Sequence, residues 1–143
     1  MKAQDLMVGD WVYRVDFKEP IPVRILGLEV VNYVTHPKQY VADAFCPKHN
    51  NNVGLYMDEI CPIPLTAEIL EKNGWSFNNE DAKYAPETWV GNGLMLQEDG
   101  GYRIVVVSDY DDEDTNNTPF VITYIHELQH ALRLCGIDKE IQP

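Results

Sequence analysis

His126, Glu127 and His130 stand in the spacing H-E-x-x-H, over His126-Glu127-Leu128-Gln129-His130. Four residues make about one helical turn, so two imidazoles so spaced can bind one Zn²⁺ while the carboxylate between them polarises a metal-bound water. That is the chemistry of a minimal zinc-dependent hydrolase, with His126 and His130 as metal ligands and Glu127 as catalytic base. Such a zinc normally takes a third protein ligand, and only residues 131–143 follow His130. In the longer pattern H-E-x-x-H-x-x-G-x-x-H, Arg133 replaces the glycine and Gly136 the third histidine. Cys135, Asp138 and Glu140 lie too close along the tail to act from a second helix.

The other chemistry-bearing groups are scattered. Cys46-Pro47-Lys48-His49, with Cys61 and His36, offers zinc donors, but a structural site normally shows two ligand pairs at regular spacing. A buried apolar thiol and a loop histidine fit the fragment better. Asp109-Tyr110-Asp111-Asp112-Glu113-Asp114 is dense enough in carboxylates to suggest calcium. Counted from Asp109, Asp114 falls where such a loop requires glycine and Phe120 where it requires a bidentate glutamate; counted from Asp112, Thr123 takes that last place. A solvated acidic run is the better reading. Ser76 and Ser108, the only serines, lie outside any Gly-x-Ser-x-Gly frame, and there is no glycine-rich phosphate loop.

The element that must carry the H-E-x-x-H motif is well marked. Apolar residues recur at Tyr124, Ile125, Leu128, Ala131, Leu132 and Cys135, and Gly136-Ile137 supplies a stop, which predicts a helix over about 124–135. At about 100° per residue the stripe centres near 45° from Tyr124, whereas His126 and His130 fall at about 200° and 240°. Both histidines are therefore expected on a solvated polar face.

Upstream, Leu6 to Val15 reads as a Gly9-Asp10 turn and a strand in which Trp11, Tyr13 and Val15 alternate. Ile21–Val34, Gln39–Phe45 and Val53–Met57 read as further strands, the first entered irregularly through Pro20 and Pro22. Thr66 can cap a short helix from Ala67 to Asn73, with Gly74 ending it. Gly93–Gln97 and Tyr102–Val107 form a hairpin through Glu98-Asp99-Gly100-Gly101. Trp11, Trp75, Trp89 and Tyr102 are expected in the core or at its rim. The resulting expectation is a single α+β domain over 1–143. It has a strongly bent antiparallel sheet, partly barrel-like and sheet-rich over 6–61, a short central helix at about 66–73, the hairpin at about 93–107, and a longer C-terminal helix at about 124–135.

A chain of 143 residues, 45% hydrophobic and 24% charged, belongs with globular proteins and not with disordered or fibrous ones. Eleven Lys and Arg against 23 Asp and Glu give a net charge of -12. That field repels nucleic-acid backbones and anionic lipid, which argues against binding to either. It permits the converse, an acidic mimic of nucleic acid that inhibits a DNA-binding factor. No apolar run approaches the roughly 18 residues that span a bilayer, Asp5 and Asp10 interrupt the N-terminal segment, and three cysteines suit a reducing compartment, so a cytoplasmic location is expected. Asn116-Asn117-Thr118 matches a glycosylation sequon, which without export is only loop composition.

Three stretches carry a resemblance: Leu6-Met7-Val8-Gly9-Asp10-Trp11-Val12, the run Ile60 to Trp75 with Pro62-Ile63-Pro64-Leu65-Thr66-Ala67-Glu68-Ile69-Leu70 at its centre, and Tyr124-Ile125-His126-Glu127-Leu128-Gln129-His130. In them the chain resembles a family of small uncharacterised proteins of gut Bacteroidota and their prophages or other mobile elements, least closely over about 76–118. The resemblance brings no known activity and no catalytic residue. It implies a Tyr-x-His-x-Leu-Gln frame in which the positions of Glu127 and His130 can hold Gln and Asn. The H-E-x-x-H spelling would then be a by-product of a structural helix start, with His126 and Gln129 in local hydrogen bonds. The functional expectation is a non-enzymatic protein-interaction module with an unidentified protein partner and no cofactor. The zinc hydrolase and the nucleic-acid mimic are its alternatives.

Overall fold

The structure, a computed structural model, describes residues 3–16, 18–33, 36–78, 88–98, 100–106 and 116–143. The acidic run Asp109 to Asp114 lies outside the described residues. The chain divides into two compact units, one of residues 1–64, 124–129 and 143, the other of 65–123 and 130–142.

The first unit begins with a turn that only glycine enters cheaply. Gly9 has φ 93°, its N–H donates to Ile25 O at 2.7 Å, and Ile25 N–H donates to Asp10 O at 2.8 Å. Asp10 Oδ2 accepts the Met7 N–H at 2.7 Å, closing the turn from inside, and Asp10 is completely buried. Strands β1 (Trp11–Arg14), β2 (Ile21–Tyr33), β3 (His36–Cys46), β4 (Asn51–Tyr56) and β5 (Ile60–Pro62) follow, with a 3₁₀ turn at Met57–Glu59. They form one antiparallel sheet in the order β4-β3-β2-β1-β5. Its buried face carries Val12, Ile21, Val23, Ile25, Ala42, Ala44, Cys46, Leu55 and Ile60, with Leu6 beside them. In β1 the inward residue is Val12, and Trp11 and Tyr13 are half-buried on the other face. Period-2 alternation fixes which residues share a face but not which face is inside.

The second unit holds α1 (Ala67–Lys72), then β6 (Ser76–Asn78), β7 (Thr88–Gly91), β8 (Leu94–Glu98), β9 (Tyr102–Val106) and β10 (Asn116–Ile122). These strands make a second antiparallel sheet in simple meander order, β10-β9-β8-β7-β6. The fold is therefore α+β with two five-stranded sheets where the sequence suggested one, and the expected hairpin is β8–β9 of the second. The turn between β7 and β8 is Asn92-Gly93, with φ 49° and 78°, the doubly positive pair that a two-residue hairpin requires. Pro119 falls where the β9–β10 register shifts, on an edge strand that can spare its N–H. Trp75, Trp89 and Tyr102 are buried, and the Trp89 ring lies 5.2 Å from its cross-strand neighbour Phe77.

Helix α1 is built as its sequence predicts. Thr66 Oγ1 accepts the Ile69 N–H at 3.3 Å. At the other end Gly74 has φ 89°, its N–H donates to Glu71 O, and Trp75 N–H reaches back to Leu70 O, both at 3.0 Å. That is a Schellman stop, with Leu70 and Trp75 both buried. Asn73, next to it, reaches a distant part of the chain. Its Nδ2 donates to Ile69 O and Gln142 O, each at 2.8 Å, and its Oδ1 accepts the Gln142 N–H at 2.9 Å.

Candidate functional site

The C-terminal helix α2 (Ile125–Leu134) carries the H-E-x-x-H motif in its first turns. Its start is set by strand-like pairing: Pro64 bridges Tyr124, and Ile125 N–H donates to Ile63 O at 3.0 Å. Tyr124 thus occupies the cap position and Glu127 stands three residues on. The Tyr124 N–H donates to Glu127 Oε2 at 3.0 Å. This is the carboxylate half of a capping box, and it places a negative charge in the first turn, where the helix dipole favours it. The same Tyr-x-x-Glu spacing recurs at Tyr56-Met57-Asp58-Glu59, where the Tyr56 N–H donates to Glu59 Oε2 at 2.9 Å ahead of the 3₁₀ turn. There, no histidine accompanies the glutamate, so the arrangement stands as helix-start chemistry in its own right.

The helix ends as predicted, with Gly136 at φ 73°, its N–H donating to Arg133 O at 3.0 Å and Ile137 N–H to Leu132 O at 2.9 Å. The orientation of the helix differs from expectation. Ile125, Leu128 and Leu132 are buried, but so are His126 at 5% exposure and Gln129 at 4%, while Cys135 is exposed. The buried arc then runs from about 40° to about 200°, some 75° round from the predicted centre. Tyr124 and Ala131 are only half-buried and Cys135 sits beyond the last helical residue, so these apolar residues had drawn the predicted stripe toward themselves. His126 is therefore a buried side chain, its ring stacked on Tyr124 at 5.8 Å and 13°. His130 is half-buried.

The donors proposed for other metals are dispersed. Cys46 is buried in the first sheet's core, His49 is exposed in the turn after it, and Cys61 is half-buried. His36 lies in β3, its side chain outside the described residues. Among the described residues no group of three or more His, Cys, Asp or Glu is placed to hold a metal ion, and no helix is long and apolar enough to cross a membrane. Tyr102 in the second unit is perturbed: burial first, and then the nearby Glu98 charge, push its phenol above the ordinary tyrosine range. Sequence reasoning missed the structural use of Asp10 and Asn73; the only available signal was for Asp10, a carboxylate directly after a turn glycine. No protein-family model, curated protein or solved structure matches this chain.

Proposed function

We propose that this chain is a non-enzymatic protein-interaction module of an accessory or phage-derived gene set, a member of the family it resembles, acting in the cytoplasm through surface contacts with another protein. One observation carries the proposal. The Glu127 carboxylate, which a zinc hydrolase would need as its base, takes the Tyr124 N–H at 3.0 Å and serves the start of α2. The stretches behind the resemblance are likewise engaged in architecture, since Val12 pairs with Pro62 and Pro64 with Tyr124. Recognition is then left to the surface, where Met7 and Val8 project from the first turn at 48% and 60% exposure. The order β4-β3-β2-β1-β5, with two register shifts along β2 and β3, favours a strongly bent, partly barrel-like first sheet.

The test is reciprocal capture. Tagged chain is recovered from its native cell at low and high salt, and the recovered protein is used to retrieve the chain in turn. A partner found in both directions and lost on Val8→Asp supports the proposal; a basic DNA-binding partner released by salt would replace it with the nucleic-acid mimic. Zinc is measured on protein purified without chelator. Stoichiometric zinc that disappears in His130→Ala, with hydrolysis that disappears in Glu127→Gln, overturns the proposal in favour of the hydrolase.

A further inference from the structure

Among the described residues strand β4 is an open edge of the first sheet and pairs with β3 alone. Natural edges are usually blunted by charge, proline or a bulge, because their unpaired peptide groups accept another strand. Asn51-Asn52-Val53-Gly54-Leu55-Tyr56 has no charged residue and no proline, and its register with β3 is continuous from Cys46↔Asn51 to Val41↔Tyr56. Asn51, Asn52, Gly54 and Tyr56 are exposed. A Cβ built on Gly54 would meet, among the described residues, Val41 Cγ1 at 3.9 Å, an ordinary contact. The Tyr56 N–H is held by Glu59 and so stands outside the ladder with β3. Antiparallel bonding alternates, and it therefore turns the peptide groups of Gly54 and Asn52 to the open side as well.

The two ends of this strand carry opposite charge. Lys48 is exposed in the turn before it, and Asp58 is exposed in the 3₁₀ turn after it. Antiparallel pairing of two copies about a two-fold axis sets each end beside the opposite end of the other copy. Directly opposed residues must share a face of the sheet, so the axis passes through a residue and not between two. With the axis at Val53, Asn52 stands opposite Gly54 of the second copy, and Lys48 comes level with Asp58 of the second copy, twice by symmetry. A chain of net charge -12 repels itself elsewhere, and this complementarity selects both the occupant and its direction. We propose that β4 is a self-association edge at which two copies of this chain pair β4 to β4, antiparallel about Val53, into one continuous sheet. The inference stands independently of the proposed function.

Sedimentation equilibrium of the full chain over a concentration series, at low and high salt, tests it. The mass is expected to rise with concentration from 16.4 kDa toward twice that value, less so in salt. Gly54→Pro removes an outward N–H that the β3 ladder does not use and is expected to leave the monomer. Because proline can also disturb the strand, Lys48→Glu is the second variant, with circular dichroism confirming that each variant folds. Lys48→Glu is expected to weaken the dimer about five- to tenfold, and Lys48→Glu combined with Asp58→Lys to restore it. A chain monomeric at every concentration overturns the proposal. So does a dimer indifferent to Gly54→Pro and Lys48→Glu, or one that the double reversal does not restore.

Discussion

A glutamate can support the same sequence motif by two unlike routes, and substitution separates them. At position 127 glutamine still offers an oxygen to the Tyr124 N–H, whereas alanine leaves that donor to solvent. Glu127→Gln is therefore expected to match the parent in urea unfolding within a few tenths of a kcal/mol, and Glu127→Ala to lose about 0.5–2 kcal/mol. A catalytic base would lose its function equally in both. Tyr102 offers a second test at this scale. Its raised pKa means that the fold prefers the neutral phenol, so the stability it contributes is complete below the ordinary tyrosine range and is lost as pH rises through the raised value. Ultraviolet titration is expected to show a late-ionising component that disappears in Tyr102→Phe. The positions and spacing of the motif were legible in the sequence. The burial of His126 and Gln129 was not, because polar residues add nothing to an apolar stripe even when they lie inside.

Glycines mark where the elements end, and they do so for two different physical reasons. Gly74 and Gly136 have positive φ and, among the described residues, nothing within 4 Å of a built Cβ, so alanine there meets only backbone strain. Each substitution is expected to cost about 1 kcal/mol in thermal or urea unfolding. At Gly91 a Cβ would lie 2.7 Å from both Gly74 O and Trp75 Cγ. Gly91→Ala is expected to cost more than either stop glycine, since backbone and a buried ring must both shift. Both helices, β1 to β4 and the β8–β9 hairpin were readable because long apolar periods or turn residues announce them. Strands β5, β6, β7 and β10 were not read: β5 and β6 have three residues each and β7 four, and β10 opens on Asn116-Asn117 and contains Pro119. Asn92-Gly93 was the one overlooked signal that would have found β7.

Across the whole molecule the net charge of -12 opposes compaction of either unit through like-charge repulsion. Adding salt is expected to raise the midpoint of thermal unfolding by a few degrees, read by circular dichroism at matched protein concentration. Chain length bounds the amount of core, but it does not say how that core is partitioned, and the division into residues 1–64, 124–129 and 143 against 65–123 and 130–142 left no mark in composition. One seam of the second unit can be timed directly. Gln142 belongs to no strand, yet its N–H and C=O are both held by the Asn73 side-chain amide, which imitates a paired peptide group. In deuterium exchange the Gln142 amide is expected to keep its proton as a strand amide does, and in Asn73→Ala to lose it at the rate of a loop. Its lifetime is a clock for the opening of the C-terminal tail, readable without unfolding anything else.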